Sequence, residues 1–181
     1  MPTLTNEITI AATPDEVWLT LVDFPRWENW NPFLRDLEGV ALAGERVTVT
    51  VYPQMDHLRE QLAERDADNP LQLQNARALN KSSTYKTTIT HYRPGRLLAW
   101  RKTSWWSGNY EHRFELHAVG AGETRFVNTV TMTGWLVNMG WQAAIRPIYD
   151  GGTNLMNTAL KVWMEDAGAR EETGLFEERN G

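Results

Sequence analysis

The stretch ATPDEVWLTLVDFPRWENWNPF, residues 12–33, is the part of the chain that most limits the choice of fold. Its first half starts a helix, because Thr13 is a good N-cap, Pro14 suits the first helical position and Glu16 completes a capping box. Val17, Trp18 and Leu21 then share one helical face. The second half, residues 23–33, places two Trp and two Phe around two prolines. This pattern predicts a second short helix with an aromatic, inward-packed face.

Alternating apolar and polar residues predict strands on both sides of this stretch. One strand precedes it, at residues 4–12. At least six strands follow as an antiparallel meander, most of them joined by tight turns such as Ala43-Gly44, Pro94-Gly95 and Gly120-Ala121-Gly122. The meander covers residues 33–42, 45–53, 84–92, 96–104, 110–119 and 123–134.

The last part of the chain changes to helical spacing. From Trp141 to Trp163 apolar residues recur every three or four positions, which predicts a long helix loosened by Pro147 and Gly151-Gly152, with Gly168 as its C-cap. One antiparallel sheet and one long apolar helix indicate an α+β fold in which the sheet curls around the helix. Such an interior rarely fills completely, so we expect a cavity between sheet and helix.

Composition excludes several classes of protein. The chain has 181 residues, a net charge of −5 and no cysteine, so disulfides, thiolate zinc sites and cysteine nucleophiles are excluded. No cluster of Lys and Arg predicts nucleic-acid binding. No run of about 20 apolar residues predicts a membrane span, and the N-terminus lacks a signal-peptide pattern. We therefore expect a cytoplasmic monomer or small oligomer, with its oligomeric state left open.

The order of these segments resembles the START-related, Bet v 1-like helix-grip superfamily (SRPBCC), in particular its polyketide cyclase/dehydrase and lipid-transport group. The resemblance rests on residues 12–33 and on the motifs GRLLAW, YEHRFEL, ETRFVNTVTMTG and LMNTALKVWME. It implies that the two short helices form a V that grips the long helix. Trp27, Trp30 and Phe33 would be the hinge packing of that V, and the side chains of Asp23 and Asn31 would bond to backbone at its ends.

The resemblance covers most of residues 4–166 and implies one helix-grip domain over 1–167, followed by an acidic flexible tail over 168–181. Residues 54–83 depart from the family pattern as an insertion. Met55, Leu58 and Leu62 share one helical face there. The segment is interpreted either as a surface helix over the sheet or as a lid at the cavity mouth.

Strand alternation predicts which side chains face the long helix. If Val119 pairs with Glu123, then Phe114 lies opposite Asn128 and His112 lies opposite Val130. His112 is then diagonal to Asn128, within mutual reach. With the inward face of the long helix, the expected ligand-binding residues are Trp100, Tyr110, His112, Phe114, Phe126, Asn128, Val130, Met132, Leu155, Met156 and Ala159.

Catalytic patterns are sparse. No strained turn presents a nucleophilic serine, and Glu111 and Glu115 are expected to face solvent. The four histidines, His57, His91, His112 and His117, are scattered, so neither a metal site nor a cofactor is predicted. His112 is the one candidate catalytic residue, as a general base, with Tyr85, Tyr110 or Lys102 as further polar groups. A structural role for a lone inward histidine is the alternative.

Three functions remain open. The first is a non-catalytic carrier or sensor that binds a small hydrophobic or aromatic molecule, lipid- or polyketide-like. The second is a polyketide cyclase or dehydratase that uses His112. The third is a co-chaperone-like interaction module, suggested by SWWSG at residues 104–108.

Overall fold

The computed structural model describes residues 1–53, 81–105 and 108–166. The strands are β1 Thr3–Ile10, β2 Leu34–Glu38, β3 Arg46–Val51, β4 Ser83–Arg93, β5 Leu97–Lys102, β6 Tyr110–Gly120 and β7 Glu123–Met132. Within the described residues they form one antiparallel sheet in the order β1-β7-β6-β5-β4-β3-β2. The meander is therefore confirmed, and the first strand joins it beside the last.

The first helix, α1, spans Pro14–Val22 and begins as the sequence predicts. Thr13 Oγ1 accepts from Glu16 N at 3.3 Å, and Thr13 N donates to Glu16 Oε2 at 2.8 Å. Both bonds of the capping box are therefore present. A 3-10 helix follows over Phe24–Asn29, so the second short helix is confirmed in the tighter 3-10 form.

The C-terminal helix is longer than predicted. It starts at Trp135, six residues before Trp141, and consists of α2 Trp135–Gly140, a π-helical turn Trp141–Ile145 and α3 Arg146–Glu165. Arg146-Pro147 follows directly after the π-helical turn, so the proline, which has no N–H to donate to the preceding turn, lies where the regular α-helical hydrogen bonding of this helix is interrupted. The predicted C-cap, Gly168, lies outside the described residues.

The sheet curls around α3, which contacts β1 and β7. One close approach fixes how the helix lies. A Cβ added to Gly152 would come within 2.2 Å of the Phe33 ring, so a glycine is required for α3 to approach the segment after the 3-10 helix. The ring of Phe33 therefore packs directly against the backbone of Gly152.

The hinge of the V has the predicted packing. Trp27, Trp30 and Phe33 are all buried. Asn31 Oδ1 accepts from the backbone N–H groups of Phe33 and Leu34, each at 3.0 Å, as expected of an Asx side chain. The expectation for Asp23 is wrong, because its carboxylate lies 3.5 Å from Arg26 and makes no side-chain cap bond to the 3-10 helix within the part of the chain described.

Two further expectations concern residues that the structure leaves undescribed. Most of the insertion at 54–83 and the tail at 168–181 lie outside the described residues, so both interpretations of the insertion stay predictions. Among the described helices, none is long and apolar enough to cross a bilayer.

Candidate functional site

The interior of the sheet has the predicted register. Phe114 pairs with Asn128, and His112 pairs with Val130. The turn differs by one residue, because Gly120 and not Val119 pairs with Glu123, and an irregularity between Ala118 and Gly120 absorbs the shift. The inward face of β5, β6 and β7 is therefore the face that alternation predicts.

Most of this inward face is filled. Trp27 packs at ring-centroid distances of 5.9 Å from both Trp100 and Phe114. Phe114 stacks on Phe126 at 5.9 Å, and the His112 ring lies 4.4 Å from Phe114. Close-packed rings leave no room for a ligand among them.

A pocket of about 350 Å³ lies at one end of the interior, where β6 and α3 begin. Three tyrosines and several apolar side chains form its walls, and two lysines lie among the polar lining residues. The lining comprises Val51, Pro53, Lys81, Ser83, Tyr85, Lys102, Gly108, Asn109, Tyr110, Met132, Val137, Ile148 and Tyr149.

The predicted site residues divide between pocket and core. Tyr110 and Met132 line the pocket. Ala159 is half-buried, and Leu155 is 39% exposed, so the expected inward position of Leu155 is wrong. On α3 the buried stripe runs through other positions, since helical spacing turns residue 155 toward solvent. The remaining predicted residues are buried but lie outside the pocket lining: Trp100, His112, Phe114, Phe126, Asn128, Val130 and Met156.

Sequence reasoning missed Tyr149, Ile148 and Val137 as wall residues. Tyr149 lies three and seven residues before Gly152 and Met156, both buried on α3, so helical spacing could have placed it on the inward face. Val137 lies on α2, in the part of the helix that was not predicted.

A chain of buried hydrogen bonds leads from the pocket wall into the core. Tyr110 Oη lies 2.8 Å from His112 Nδ1, and His112 Nε2 lies 2.6 Å from Asn128 Oδ1. Asn128 Nδ2 donates to Asn157 Oδ1 on α3 at 3.0 Å. The predicted diagonal contact between His112 and Asn128 is therefore confirmed.

The direction of these bonds follows from the charge state of His112. Burial lowers the pKa of His112 from 6.5 to about 4, although the hydrogen bond to Asn128 opposes the shift, so the ring is neutral at pH 7. A neutral imidazole has one donor and one acceptor. Because Asn128 Oδ1 can only accept, Nε2 carries the proton, and Tyr110 donates its own proton to Nδ1.

Two polar groups beside this chain lack partners. Neither Tyr85 Oη nor Trp100 Nε1 makes a hydrogen bond to any residue within the described ranges. The Tyr85 and Tyr110 rings are 5.4 Å apart. Burial raises the pKa of both phenols well above the usual range, so both phenols stay protonated and neutral.

Charged groups are few at the site. The Lys102 ammonium lies 5.3 Å from the centre of the Tyr85 ring, a cation-π distance. Glu111 and Glu115 are on the outer face of β6, where they pair with Arg101 and Arg113. Among the described residues no three His, Asp or Glu side chains come together in a way that could hold a metal ion.

Comparison with known proteins supports the fold. The family model described as polyketide cyclase / dehydrase and lipid transport matches residues 1–74. Among curated proteins no match was found. The Zhui aromatase/cyclase from a Streptomyces species has a similar structure, with a TM-score of 0.63 and 14% identity over 91% of this chain and 93% of that one.

Two further solved structures have the same fold. A START superfamily protein from Mycobacterium smegmatis has a TM-score of 0.60 and 13% identity, covering 90% of this chain and 97% of that one. The Aha1 dimer from Colwellia psychrerythraea has a TM-score of 0.60 and 13% identity, covering 92% and 98%. The chain therefore has the same helix-grip fold as these structures, which is the fold that the resemblance in its sequence implies.

Proposed function

We propose that the protein is a non-catalytic carrier or sensor that binds one small apolar or aromatic molecule in the pocket at the end of the sheet. The pocket itself carries the proposal. Its volume of about 350 Å³ falls in the range of about 300–1,000 Å³ typical of small-molecule sites. Its walls are mostly tyrosine rings and aliphatic side chains, with a few polar groups, and this is the composition that binds apolar ligands.

The position of His112 favours binding over chemistry. Its ring is fully buried and both nitrogens already have partners in Tyr110 and Asn128. A general base must reach the proton that it removes, directly or through one water. Tyr110 stands between His112 and the pocket, so a ligand meets a phenol there and not the imidazole.

A cyclase or dehydratase is the second candidate, and one observation favours it. Tyr110 lines the pocket and is hydrogen-bonded to His112, so a proton could pass from ligand to imidazole through the phenol. The similarity in fold to an aromatase/cyclase also supports this second candidate. The interaction-module candidate rests on Trp105, which is 96% exposed, whereas Trp106 and Ser107 lie outside the described residues.

The binding proposal is tested by titrating an uncharged environment-sensitive dye such as N-phenyl-1-naphthylamine. We expect a micromolar Kd, about −8 kcal/mol, with an increase in dye emission and quenching of Trp fluorescence. Val137→Trp should abolish binding because the larger side chain enters the pocket. Val162→Trp is the matched control, since Val162 is 50% exposed on α3. Binding that survives Val137→Trp would contradict the proposed location.

Carrier and enzyme are separated by native mass spectrometry followed by turnover. A carrier should retain a small molecule from its host and return it chemically unchanged. An enzyme should convert that molecule, and His112→Gln should then slow conversion by about 10²–10⁴-fold while dye binding stays normal. Conversion that depends on His112 would replace the carrier proposal with the enzyme.

A further inference from the structure

Two lysines are the only charged side chains that line the pocket within the described part of the chain. Lys81 is exposed and Lys102 is half-buried. No Asp or Glu belongs to this described lining, although the whole chain carries a net charge of −5. The pocket is therefore locally positive in an acidic protein. At physiological salt, charges within about 8 Å of a bound group still act on it.

Lys102 faces the interior of the sheet. In the two-residue repeat of β5 it follows Leu98 and Trp100, which are both fully buried. Lys102 pairs with Tyr110 across β5 and β6, and its ammonium lies 5.3 Å from the centre of the Tyr85 ring. Both tyrosines line the pocket. The strand therefore directs this cation toward the pocket.

Neither lysine has a carboxylate partner among the residues that the structure describes. The ion pairs found there involve other residues, and Arg101, directly before Lys102, pairs with Glu111 on the outer face. Holding an ammonium half-buried without a counter-charge is unfavourable, and the contact with the Tyr85 ring offsets this only in part. An anionic group in the pocket would supply the missing charge partner.

We propose that the pocket takes an amphipathic carboxylic acid, with the ionised carboxylate at Lys81 and Lys102. The apolar body of the acid packs on the aliphatic lining, which includes Met132 and Ile148. A carboxylate only accepts hydrogen bonds and an ammonium only donates them, so the two groups are complementary. Phosphate is recognised best by the fork of an arginine, and no arginine lines the described pocket. This inference rests on the proposed function, since it names the polar group of the ligand in the same pocket.

The first test compares two probes of the same shape on the wild-type protein. At pH 7 2-naphthoate is ionised and 2-naphthamide is neutral. Calorimetry at low salt should show that 2-naphthoate binds about tenfold more tightly, as for one hydrogen bond to a charged group. The preference should weaken at high salt, because dissolved ions screen a half-exposed charge.

The outcomes of this comparison separate the two proposals. Equal affinities for the two probes, a preference that salt does not weaken, or binding of the uncharged dye alone would overturn the carboxylate subsite. Each of these results would leave the proposed function standing. No binding by either probe or by the dye would overturn both.

Variants assign the preference to the two ammoniums. Lys102→Met and Lys81→Met keep an unbranched apolar side chain and remove the charge, so each should lower the ratio of naphthoate to naphthamide affinity several-fold. Lys81→Glu should lower the ratio at least as much, and it keeps the test independent of any folding defect in Lys102→Met, which thermal melting would reveal. Lys86→Met is the matched control, because Lys86 is exposed on β4 and lies outside the pocket lining. A wild-type ratio in Lys81→Glu and in folded Lys102→Met would sink the inference.

Discussion

The two ends of the interior, between the same sheet and the same helix, are built differently. Around Trp27 the rings of Phe24, Trp30, Trp100 and Phe114 all lie within 6 Å, and the Trp27 N–H donates to Leu21 O at 3.0 Å. At the other end, where Tyr85 and Tyr149 line the pocket, the rings leave a space of about 350 Å³. The filled end consists of aromatic rings, with the Trp30 and Trp100 N–H groups unpartnered among the described residues, whereas the open end is lined by tyrosines, lysines and other polar residues as well as apolar ones.

This difference teaches that aromatic content does not by itself indicate a ligand cavity. Trp27 and Trp100 are fully buried in the core, and tyrosines form the aromatic part of the pocket. Tryptophan rings serve here mainly as bulk that holds the V of short helices against the sheet. Tyrosines suit the pocket better because each adds a hydroxyl to an apolar ring.

The largest effect is expected at the filled end. Trp27→Ala removes the ring at the centre of the aromatic cluster and leaves a cavity, so unfolding free energy should fall by about 3–5 kcal/mol in chemical denaturation. Trp105→Ala is the control, because Trp105 is 96% exposed and its loss should change stability by no more than about 0.5 kcal/mol. Similar small losses in both variants would mean that the cluster contributes little.

An intermediate effect is expected at the boundary between the two ends, where His112 lies. Its folded pKa of about 4 is below the 6.5 of the unfolded chain. Between these values the unfolded chain binds a proton that the folded protein does not, so stability should fall as pH drops from about 6.5 toward about 4. The loss should reach about 3 kcal/mol and end below the folded pKa, where both states are protonated.

The pH effect is isolated by measuring the same denaturation curves for His112→Gln. Other groups also titrate in this window, so the free energies of unfolding of wild type and variant are subtracted at each pH. This difference should change by about 3 kcal/mol between pH 6.5 and pH 4. A parallel pH dependence in the two proteins would show that the His112 ring is accessible to water, and the division into a dry core and an open pocket would then fail.

The smallest effect is expected on the outer face of α3. Leu155→Ala should cost no more than about 0.5 kcal/mol, because Leu155 is 39% exposed. Leu160→Ala is the same substitution at a fully buried position on the same helix and should cost about 2–5 kcal/mol. Chemical denaturation of the two variants tests which face of α3 is buried. A large loss of unfolding free energy in Leu155→Ala would mean that Leu155 faces the interior.

The sequence by itself determined the order of the elements and the identity of the inward strand faces. Thr13, Pro14 and Glu16 act through bonds between neighbouring residues, and the alternation of β6 and β7 follows from the two-residue repeat of a strand. Such local rules predicted the contact between His112 and Asn128, and the irregularity between Ala118 and Gly120 keeps the predicted register although the turn itself differs by one residue.

The tertiary structure decided which inward side chains line the pocket and which are enclosed in the core. Tyr110 and Phe114 lie on the same face of one strand, yet Tyr110 lines the pocket and Phe114 is enclosed by Trp27, Trp100 and Phe126. Alternation gives a residue its face, but the volume left beside it depends on side chains brought there from α1, the 3-10 helix and α3. The pocket exists because Trp27 and the rings around it fill one end of the interior, whereas the tyrosine rings at the other end leave a space between them.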